Sequence, residues 1–313
     1  MRLCKFEYTK NWSITFSNDF FNYLNTSVNG RQIFIEHENI VMPIILREKF
    51  SFKIGYCIHP PLKDGKKLLL AEEKFFFEAL SVYLRRNKIV DFILPPIHTE
   101  NFQHLPQKSK GFKLGIIRLP LKNRTEDEVF ASFDSIYRNL IRKALKEEVI
   151  VKFGIKYFDD FYKLYQEKLV LENAPYDTYD QIKEITANLI KTGCATCAVA
   201  YINDKPDAGM VNINDNKNAY NMWAGTSTKS HPGSLRLVHW EIIRLYFKMG
   251  IENYRMGGAR QGTQLNEKHA RLLHFKAGFG CVVDDGYHFT FVVNTFKYKI
   301  YKSLMTIKSK IKK

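Results

Sequence analysis

Two short segments near the end of the chain decide the fold: YRMGGAR at residues 254–260 and HFKAGFG at residues 274–280. The first joins a strand to a Gly-Gly pair, which permits a close backbone approach or a positive φ where the strand ends. One helix earlier the chain has LRLVHWE at residues 235–241, with apolar residues at helical spacing. The order is therefore helix, short strand, Gly-Gly turn, and a Phe-Lys pair ahead of a strand that starts at Phe-Gly.

Length and composition limit the class of protein. A chain of 313 residues predicts about two domains. The 45% hydrophobic residues suffice for a sizeable core and exclude a disordered chain. The 48 Lys and Arg against 32 Asp and Glu give a net charge of +16, which favours polyanionic partners. Nucleic acid, anionic lipid surfaces and phosphorylated sugar precursors are such partners.

The start of the chain and its cysteines indicate the compartment. Residues 1–7, MRLCKFE, contain no apolar stretch of signal-peptide length, and charges interrupt every apolar run well short of ~18 residues. The CxxC pair Cys194 and Cys197 lacks the further ligands of a zinc site, so we expect no metal. We expect a cytoplasmic protein without a transmembrane segment and with reduced thiols, namely Cys4, Cys57, Cys194, Cys197 and Cys281.

Apolar periodicity predicts a mixed order of helices and strands in both halves. The first half gives helices at 18–25 and 71–86 and strands at 31–35, 40–46, 89–94 and 114–119. The second half gives helices at 159–171, 179–191 and 235–249 and strands at 149–151, 198–202, 208–213, 219–224, 253–256, 280–283 and 288–293. The helix at 179–191 opens on a capping box, Thr178 with Gln181, and closes at Gly193. The predicted fold class is α/β (α+β).

These motifs resemble the FemABX aminoacyltransferases and their relatives in the GNAT acyltransferase superfamily. The resemblance covers the second half well and the first half loosely. It implies two GNAT-like domains, each with a mixed, largely antiparallel sheet flanked by helices. The first is residues 1–147, with or without the C-terminal helix 296–313, and the second is the acyltransferase domain 148–295. One domain with an irregular N-terminal extension is the alternative.

The Phe275-Lys276 pair is the main catalytic candidate. Such a pair stands at this position in the FemABX motif, and the resemblance implies that Lys276 stabilises the developing oxyanion beside Phe275. The alternative is a surface lysine next to a core phenylalanine. The implied reaction is attack of an acceptor amine on an activated acyl or aminoacyl carbonyl, with no covalent enzyme intermediate.

A basic segment, RNLIRKALK at residues 138–146, is the second candidate. As a helix it places its cations in one stripe at i, i+4 and i+8, consisting of Arg138, Arg142 and Lys146. The residues expected to face the core are Ile136, Leu140 and Ala144. The family carries a similar Ile-Arg-Lys-Ala segment beside the cleft for phosphorylated precursor, which implies substrate binding by Arg142 and Lys143. The alternative is a solvated basic face.

The loop AGTSTKSHPGS at residues 224–234 leads into a helix N-terminus, where free N–H groups can bind an anion. Acyl-CoA-using GNAT enzymes hold the cofactor pyrophosphate there, which makes Ser230, Gly233 and Ser234 a candidate donor-phosphate loop. The match is partial, and FemABX enzymes, which use aminoacyl-tRNA, lack that loop. The donor therefore stays open between aminoacyl-tRNA and acyl-CoA, with no tightly bound cofactor. Further substrate-binding candidates are Trp223 and Arg260. His231 and His239 are candidate bases, and the alternative for a histidine on a helix beside Trp240 is a packed polar residue.

The tail from residue 296 alternates lysines with aromatic and aliphatic residues. It is expected to pack as a helix on the first domain, bind RNA phosphates, or contact an anionic membrane peripherally. The acceptor class implied by the resemblance is a phosphorylated or nucleotide-linked cell-envelope precursor, a peptidoglycan stem peptide or an amino sugar of a surface polysaccharide. Two other functions stay open: an acyl-CoA-dependent N-acetyltransferase on a small amine, and a non-catalytic RNA- or membrane-binding protein.

Overall fold

The computed structural model describes residues 1–9, 11–96, 100–107, 109–262 and 267–311. The strands are β1 (Arg2–Cys4), β2 (Arg31–His37), β3 (Ile40–Lys49), β4 (Phe52–Cys57), β5 (Leu62–Lys63), β6 (Lys66–Lys67), β7 (Phe92–Leu94), β8 (Lys110–Pro120), β9 (Ile150–Phe153), β10 (Ala195–Ile202), β11 (Lys205–Asn214), β12 (Asn218–Thr226), β13 (Asn253–Arg260), β14 (Val282–Asp284) and β15 (Tyr287–Val292). The helices are α1 (Asn18–Val28), α2 (Leu70–Asn87), α3 (Glu126–Ala131), α4 (Ser135–Lys146), α5 (Phe158–Leu171), α6 (Tyr179–Lys191), α7 (Ser234–Lys248), α8 (Glu267–Ala277) and α9 (Thr295–Ile311).

Contacts divide the chain into two compact units. The first consists of Met1–Gly115 and Asp285–Lys313 together with Arg260. The second consists of Ile116–Ala259 and, among the described residues, 267–284. The boundary thus lies ahead of α3, whereas the sequence predicted it at residue 147. The physical reason is that α3 and α4 bury their apolar residues in the core of the second unit. Likewise β15 lies in the first unit and not in the domain predicted for 148–295.

The first unit contains a sheet in the order β1-β2-β3-β4-β7-β15-β8. Its pairings are antiparallel except for β4 with β7. Because side chains alternate between the faces of a strand, the sheet can bury both faces. On one face α2 buries Phe76, Phe77 and Leu80 in the main core of this unit. On the other, Phe52 and Phe92 pack against the tyrosines of α9.

The second unit contains strands in the order β8-β13-β12-β11-β10-β9, with β14 paired to β8. Strands β9 to β12 are antiparallel, and β12 and β13 are parallel. Helices α4 and α7 cover the face that carries Ala198, Ala208 and Met210. Helix α5 lies on the opposite face, where the Phe161 ring packs next to Gly209. The predicted fold class, mixed largely antiparallel sheets flanked by helices, is confirmed.

Local features of this unit follow from single residues. The capping box at α6 forms as predicted, since Thr178 N donates to Gln181 Oε1 at 2.9 Å. Gly193 ends that helix region with φ +72°, and Gly250 follows α7 with φ +73°. Both values lie in the left-handed region, where glycine has no steric penalty.

Candidate active site

The Phe275-Lys276 pair lies at the C-terminal end of α8, and α4 fixes that end. The phenolic oxygen of Tyr137 donates to the carbonyl oxygen of Phe275 at 3.1 Å. The backbone N–H of Asp134, at the start of α4, donates to the carbonyl oxygen of Gly278 at 2.9 Å. The end of α8 is therefore held by side-chain and backbone hydrogen bonds from one neighbouring helix.

The two glycines of HFKAGFG permit this close approach. A Cβ on Gly278 would stand 2.5 Å from the ring of Tyr137, and one on Gly280 would stand 2.5 Å from the Ser132 carbonyl oxygen. Gly280 also has φ +68°, which other residues adopt only with strain. The motif is therefore a turn that fits closely against the segment joining α3 to α4.

A stacked cation extends the site toward α7. The guanidinium carbon of Arg236 lies 4.2 Å from the ring centre of Tyr137 and 5.3 Å from that of Phe275. Arg236 also donates to the carbonyl oxygen of Pro232 at 2.5 Å. Stacking on two aromatic rings orients the guanidinium while it keeps its charge. Arg236 and Phe275 thus lie side by side.

Lys276 is partly buried, and this desolvation lowers its pKa to about 8. Burial also raises the pKa of the nearby Cys281 thiol to about 12 despite the opposing charge of Lys276, so Cys281 is neutral at pH 7. In the described part of the chain no carboxylate pairs with the ammonium group. At neutral pH the site therefore holds a cation whose charge is not compensated.

His239 is buried in a polar network close enough to Lys276 to be affected by its charge. Its Nδ1 is 2.9 Å from the phenolic oxygen of Tyr254, which accepts from Asn212 Nδ2 at 3.2 Å and Asn221 Nδ2 at 3.3 Å. Burial, with the positive charges of Arg236, Lys276 and Lys168, lowers the pKa of His239 to about 3. A neutral histidine with so low a pKa is a poor base at neutral pH, which favours the alternative reading of His239 as a packed polar residue. The three cations create a positive potential at this place.

Strands β12 and β13 separate near the network. Their parallel pairing runs from Asn218 opposite Asn253 to Tyr220 opposite Arg255, although both strands continue beyond these residues. Next to this point β12 has a bulge against β11, since Val211 pairs with Trp223 and Asn212 with Asn221, which leaves Met222 without a partner strand residue. Bulges of this kind frequently lie beside active sites. The pairing of β12 with β13 thus ends beside this bulge.

The basic segment forms the predicted helix α4, but its orientation differs from the prediction. Tyr137, Ile141 and Ala144 face the core, whereas Ile136 is 66% exposed. The reason is that the aromatic ring of Tyr137 fills the space over Gly278, which sets the rotation of the helix. Leu140 is partly buried, as expected for a flank of that core face.

The predicted basic residues have separate surroundings. Arg138 donates to the carbonyl oxygens of Ala131, at 2.9 Å, and Phe133, so it caps the end of α3. Arg142 is exposed, and its guanidinium lies over the ring of Phe130. Lys143 is exposed 3.7 Å from Glu147. Arg142 and Lys143 can therefore reach a ligand from solvent, whereas Arg138 has a structural role.

The loop before α7 contradicts the predicted phosphate site. The Oγ of Ser230 and the backbone N–H of His231 both donate to Asp207 Oδ2, at 3.2 and 3.0 Å. Gly233 and Ser234 are buried, and a Cβ on Gly233 would stand 2.3 Å from the Leu140 carbonyl oxygen. A carboxylate already occupies the donors of this loop, and α4 covers the helix N-terminus. The residues present do not fit the pyrophosphate of acyl-CoA at this place.

Three further candidates are engaged elsewhere. Trp223 is buried and donates from Nε1 to Asp177 Oδ2 at 2.8 Å, so it supports the fold. His231 accepts from the Gly233 N–H and lies 3.0 Å from Glu147. Arg260 belongs to the first unit and stacks on Phe112 at 3.9 Å. Arg260 is the last residue of β13, which runs through Gly257 and Gly258 instead of ending in the predicted turn, and substrate binding by Arg260 stays a prediction.

Sequence reasoning missed Tyr137, Arg236, Tyr254 and Asp207. Arg236 gave a usable indication, since it interrupts the apolar start of α7. A tyrosine or aspartate within an apolar pattern gives none, because its partner is fixed only by the fold.

Two features are absent from the residues whose structure is described, a membrane-spanning helix and a metal-ligand cluster. None of their helices combines the length and apolar character needed to cross a bilayer. Likewise, no three of their His, Cys, Asp and Glu side chains come together as metal ligands. Cys194, just before β10, and Cys197, within β10, are buried free thiols.

Comparison with known proteins gives one matching family model and several structures of similar fold. The family model of an acetyltransferase (GNAT) domain matches residues 131–269. No curated protein sequence matches the chain significantly. The crystal structure of FemX is similar with a TM-score of 0.71 and 12% identity, over 96% of this chain and 99% of that one.

Two further structures are also similar in fold. One, from Agrobacterium fabrum, is described as the C-terminal domain of a lysylphosphatidylglycerol synthetase, with a TM-score of 0.58 and 14% identity over 92% of this chain and 96% of its own. The other is L-PGS from Bacillus licheniformis, with a TM-score of 0.55 and 10% identity over 89% and 92%. Residues 131–269 thus match the model of an acetyltransferase (GNAT) domain, in a chain whose fold is similar to that of FemX.

Proposed function

We propose that the chain transfers an activated aminoacyl group from aminoacyl-tRNA to an amine of a cell-envelope precursor. The acceptor is a peptidoglycan stem peptide or an amino sugar of a surface polysaccharide, carried on a phosphorylated or nucleotide-linked group. A net charge of +16 suits both the tRNA and such an acceptor. The proteins of similar fold include FemX and the C-terminal domain of a lysylphosphatidylglycerol synthetase, which supports an aminoacyl donor.

The chemistry is direct transfer. The acceptor nitrogen attacks the ester carbonyl carbon, a C–N bond forms, and the bond to the tRNA ribose oxygen breaks. The nitrogen loses a proton and the departing ribose oxygen gains one, so the enzyme carries no covalent intermediate. Positioning of the two substrates supplies much of the rate, and a cation beside the carbonyl stabilises the oxyanion of the transition state.

The observation that carries the proposal is the uncompensated charge of Lys276. Burial lowers its pKa to about 8, which still leaves it mostly protonated at pH 7. The hydrogen bonds from Tyr137 and Asp134 hold the end of α8 that presents it. Such a preorganised cation suits charge that develops only in the transition state.

The geometry of the α7 N-terminus favours aminoacyl-tRNA over acyl-CoA. Asp207 occupies the loop donors, and α4 covers Gly233 and Ser234. An acyl-CoA-dependent N-acyltransferase is the second candidate, because the matching family model is that of an acetyltransferase. In that case CoA would raise the melting temperature and uncharged tRNA would not.

Mass spectrometry of candidate acceptors tests the proposal. UDP-linked stem peptide and amino sugars are incubated with the protein and either a mixture of charged tRNAs or acetyl-CoA. A mass gain of one aminoacyl residue with charged tRNA supports the proposal, and a gain of one acetyl group with acetyl-CoA supports the second candidate. Binding of tRNA without any mass gain would indicate a non-catalytic RNA-binding protein. We place the reaction in the cytoplasm, where aminoacyl-tRNA is available.

A further inference from the structure

Helix α9 has two apolar faces, of which one is covered. Tyr298 and Tyr301 pack on the ring of Phe92, with centroids 5.2 and 4.8 Å away. The tail therefore packs as a helix, and Tyr301 lies in the apolar contact between α9 and the strands that carry Phe52 and Phe92. Residues 312–313 lie outside the described residues.

A second apolar stripe on α9 faces solvent. Its members recur at i, i+4, i+8 and i+11 and lie within about 80° of one another around the helix. They are Phe296, Ile300, Leu304 and Ile307, with exposed fractions of 73%, 40%, 50% and 54%. Isolated exposed apolar residues need no explanation, but a continuous stripe of four indicates a binding surface.

A hairpin tip of the same unit extends the stripe. Phe50, in the turn between β3 and β4, is 90% exposed. It lines a groove of about 410 Å³ together with Leu304 and Met305. The stripe, Phe50 and Met305 are called the apolar α9 surface below.

Positive charges predominate around this surface, although Lys297 is paired with Asp91 Oδ2 at 3.1 Å. Residues 295–313 contain seven lysines and no acidic residue. Arg47 and Lys49 line the groove beside Phe50. The intervening Glu48 points to the other face of β3, since strand side chains alternate. Anionic partners are therefore attracted to this surface.

We propose that the apolar α9 surface binds an anionic phospholipid bilayer. A helix with an apolar stripe and flanking lysines lies in the interface plane, with its apolar residues among the acyl chains and its cations at the headgroups. An exposed aromatic at a hairpin tip adds a second point of insertion. RNA would use the lysines but would leave four exposed aliphatic and aromatic residues in water. The surface would hold the transferase at a membrane.

Vesicle sedimentation tests this without any assay of transfer, so it does not depend on the proposed function. Vesicles of pure phosphatidylcholine are compared with vesicles of equal parts phosphatidylcholine and phosphatidylglycerol. We expect the full-length protein to sediment only with the second kind, and less as salt rises, because surface charges are screened. The triple variant F50S/F296S/L304S should bind at least tenfold more weakly, and so should K49E/K299E/K302E.

The matched control is L69S/V82S, which removes two apolar residues of similar exposure, 72% and 68%, from the same unit. All variants change exposed side chains, and circular dichroism melting checks their folding. The control should bind vesicles like the wild type. The proposal is overturned if the wild type fails to sediment, if binding ignores lipid charge, or if the serine triple variant binds as well as the control. It is also overturned if the triple variant loses only self-association or tRNA binding.

Discussion

The phenolic oxygen of Tyr137 donates to the carbonyl oxygen of Phe275 at 3.1 Å, although the two residues are 138 positions apart. The same ring covers Gly278, so one tyrosine fixes the backbone on both sides of Lys276. Because Tyr137 lies on α4, the position of the candidate catalytic lysine depends on a helix that the sequence assigned to the other domain.

Gly278→Ala should destabilise the protein by about 1–3 kcal/mol, because the new Cβ would stand 2.5 Å from the Tyr137 ring. Chemical denaturation measures the change. In a Tyr137→Ala background the ring is absent, and the added cost of Gly278→Ala should nearly vanish. Equal costs in both backgrounds would show that the two residues do not meet.

Lys276→Met should raise the free energy of unfolding at pH 7 by about 1–2 kcal/mol, since partial exposure screens part of the burial penalty. The folded-state pKa of Lys276, about 8, lies below its ordinary 10.5, so the penalty is fully present below pH 8 and fades as pH rises toward 10.5. Thermal melts of both proteins from pH 7 to 10.5 should therefore converge. A constant difference would contradict a buried cation at this position.

His239→Gln should flatten the acid dependence of stability. The folded-state pKa of about 3 lies below the ordinary 6.5, so the unfolded chain binds the extra proton between these values and stability falls as pH drops below 6.5. The wild type should lose about 1–2 kcal/mol more than the variant between pH 6.5 and 5. Urea titrations at both pH values measure this. Parallel losses would mean that His239 is solvated.

Asp207→Asn should destabilise the loop before α7. The carboxylate accepts from Ser227 at 2.7 Å, from Ser230 and from the N–H of His231, and charged acceptors make the stronger bonds. We expect a loss of about 1–3 kcal/mol in denaturation and no stabilisation of the wild type by CoA. Tight CoA binding by the wild type would show that the loop opens and would favour the acyl-CoA reaction.

The elements of the second unit that were predicted have local patterns, whereas α3 and α8 were not predicted. Caps and glycines mark the ends of α6 and α7, and three strands with polar turns follow one another. The site was predicted less well, because contacts such as Tyr137 with Phe275 or Asp207 with Ser230 join distant residues. A basic segment like 138–146 also looks the same whether it binds phosphate or caps a helix, as Arg138 does. The predicted domain boundary was wrong for a similar reason. The sequences of α3 and α4 indicate an apolar face but do not indicate which core that face enters.

The most direct test of the central claim is the transfer rate of Lys276→Ala against wild type, with saturating charged tRNA and acceptor. We predict that kcat falls tenfold to about a thousandfold while the melting temperature does not fall, as expected for the loss of one oxyanion stabiliser. In the wild type kcat should also decline as pH rises through about 8, because Lys276 loses its proton, and Lys276→Arg should lack that decline. An unchanged kcat in Lys276→Ala would contradict the account.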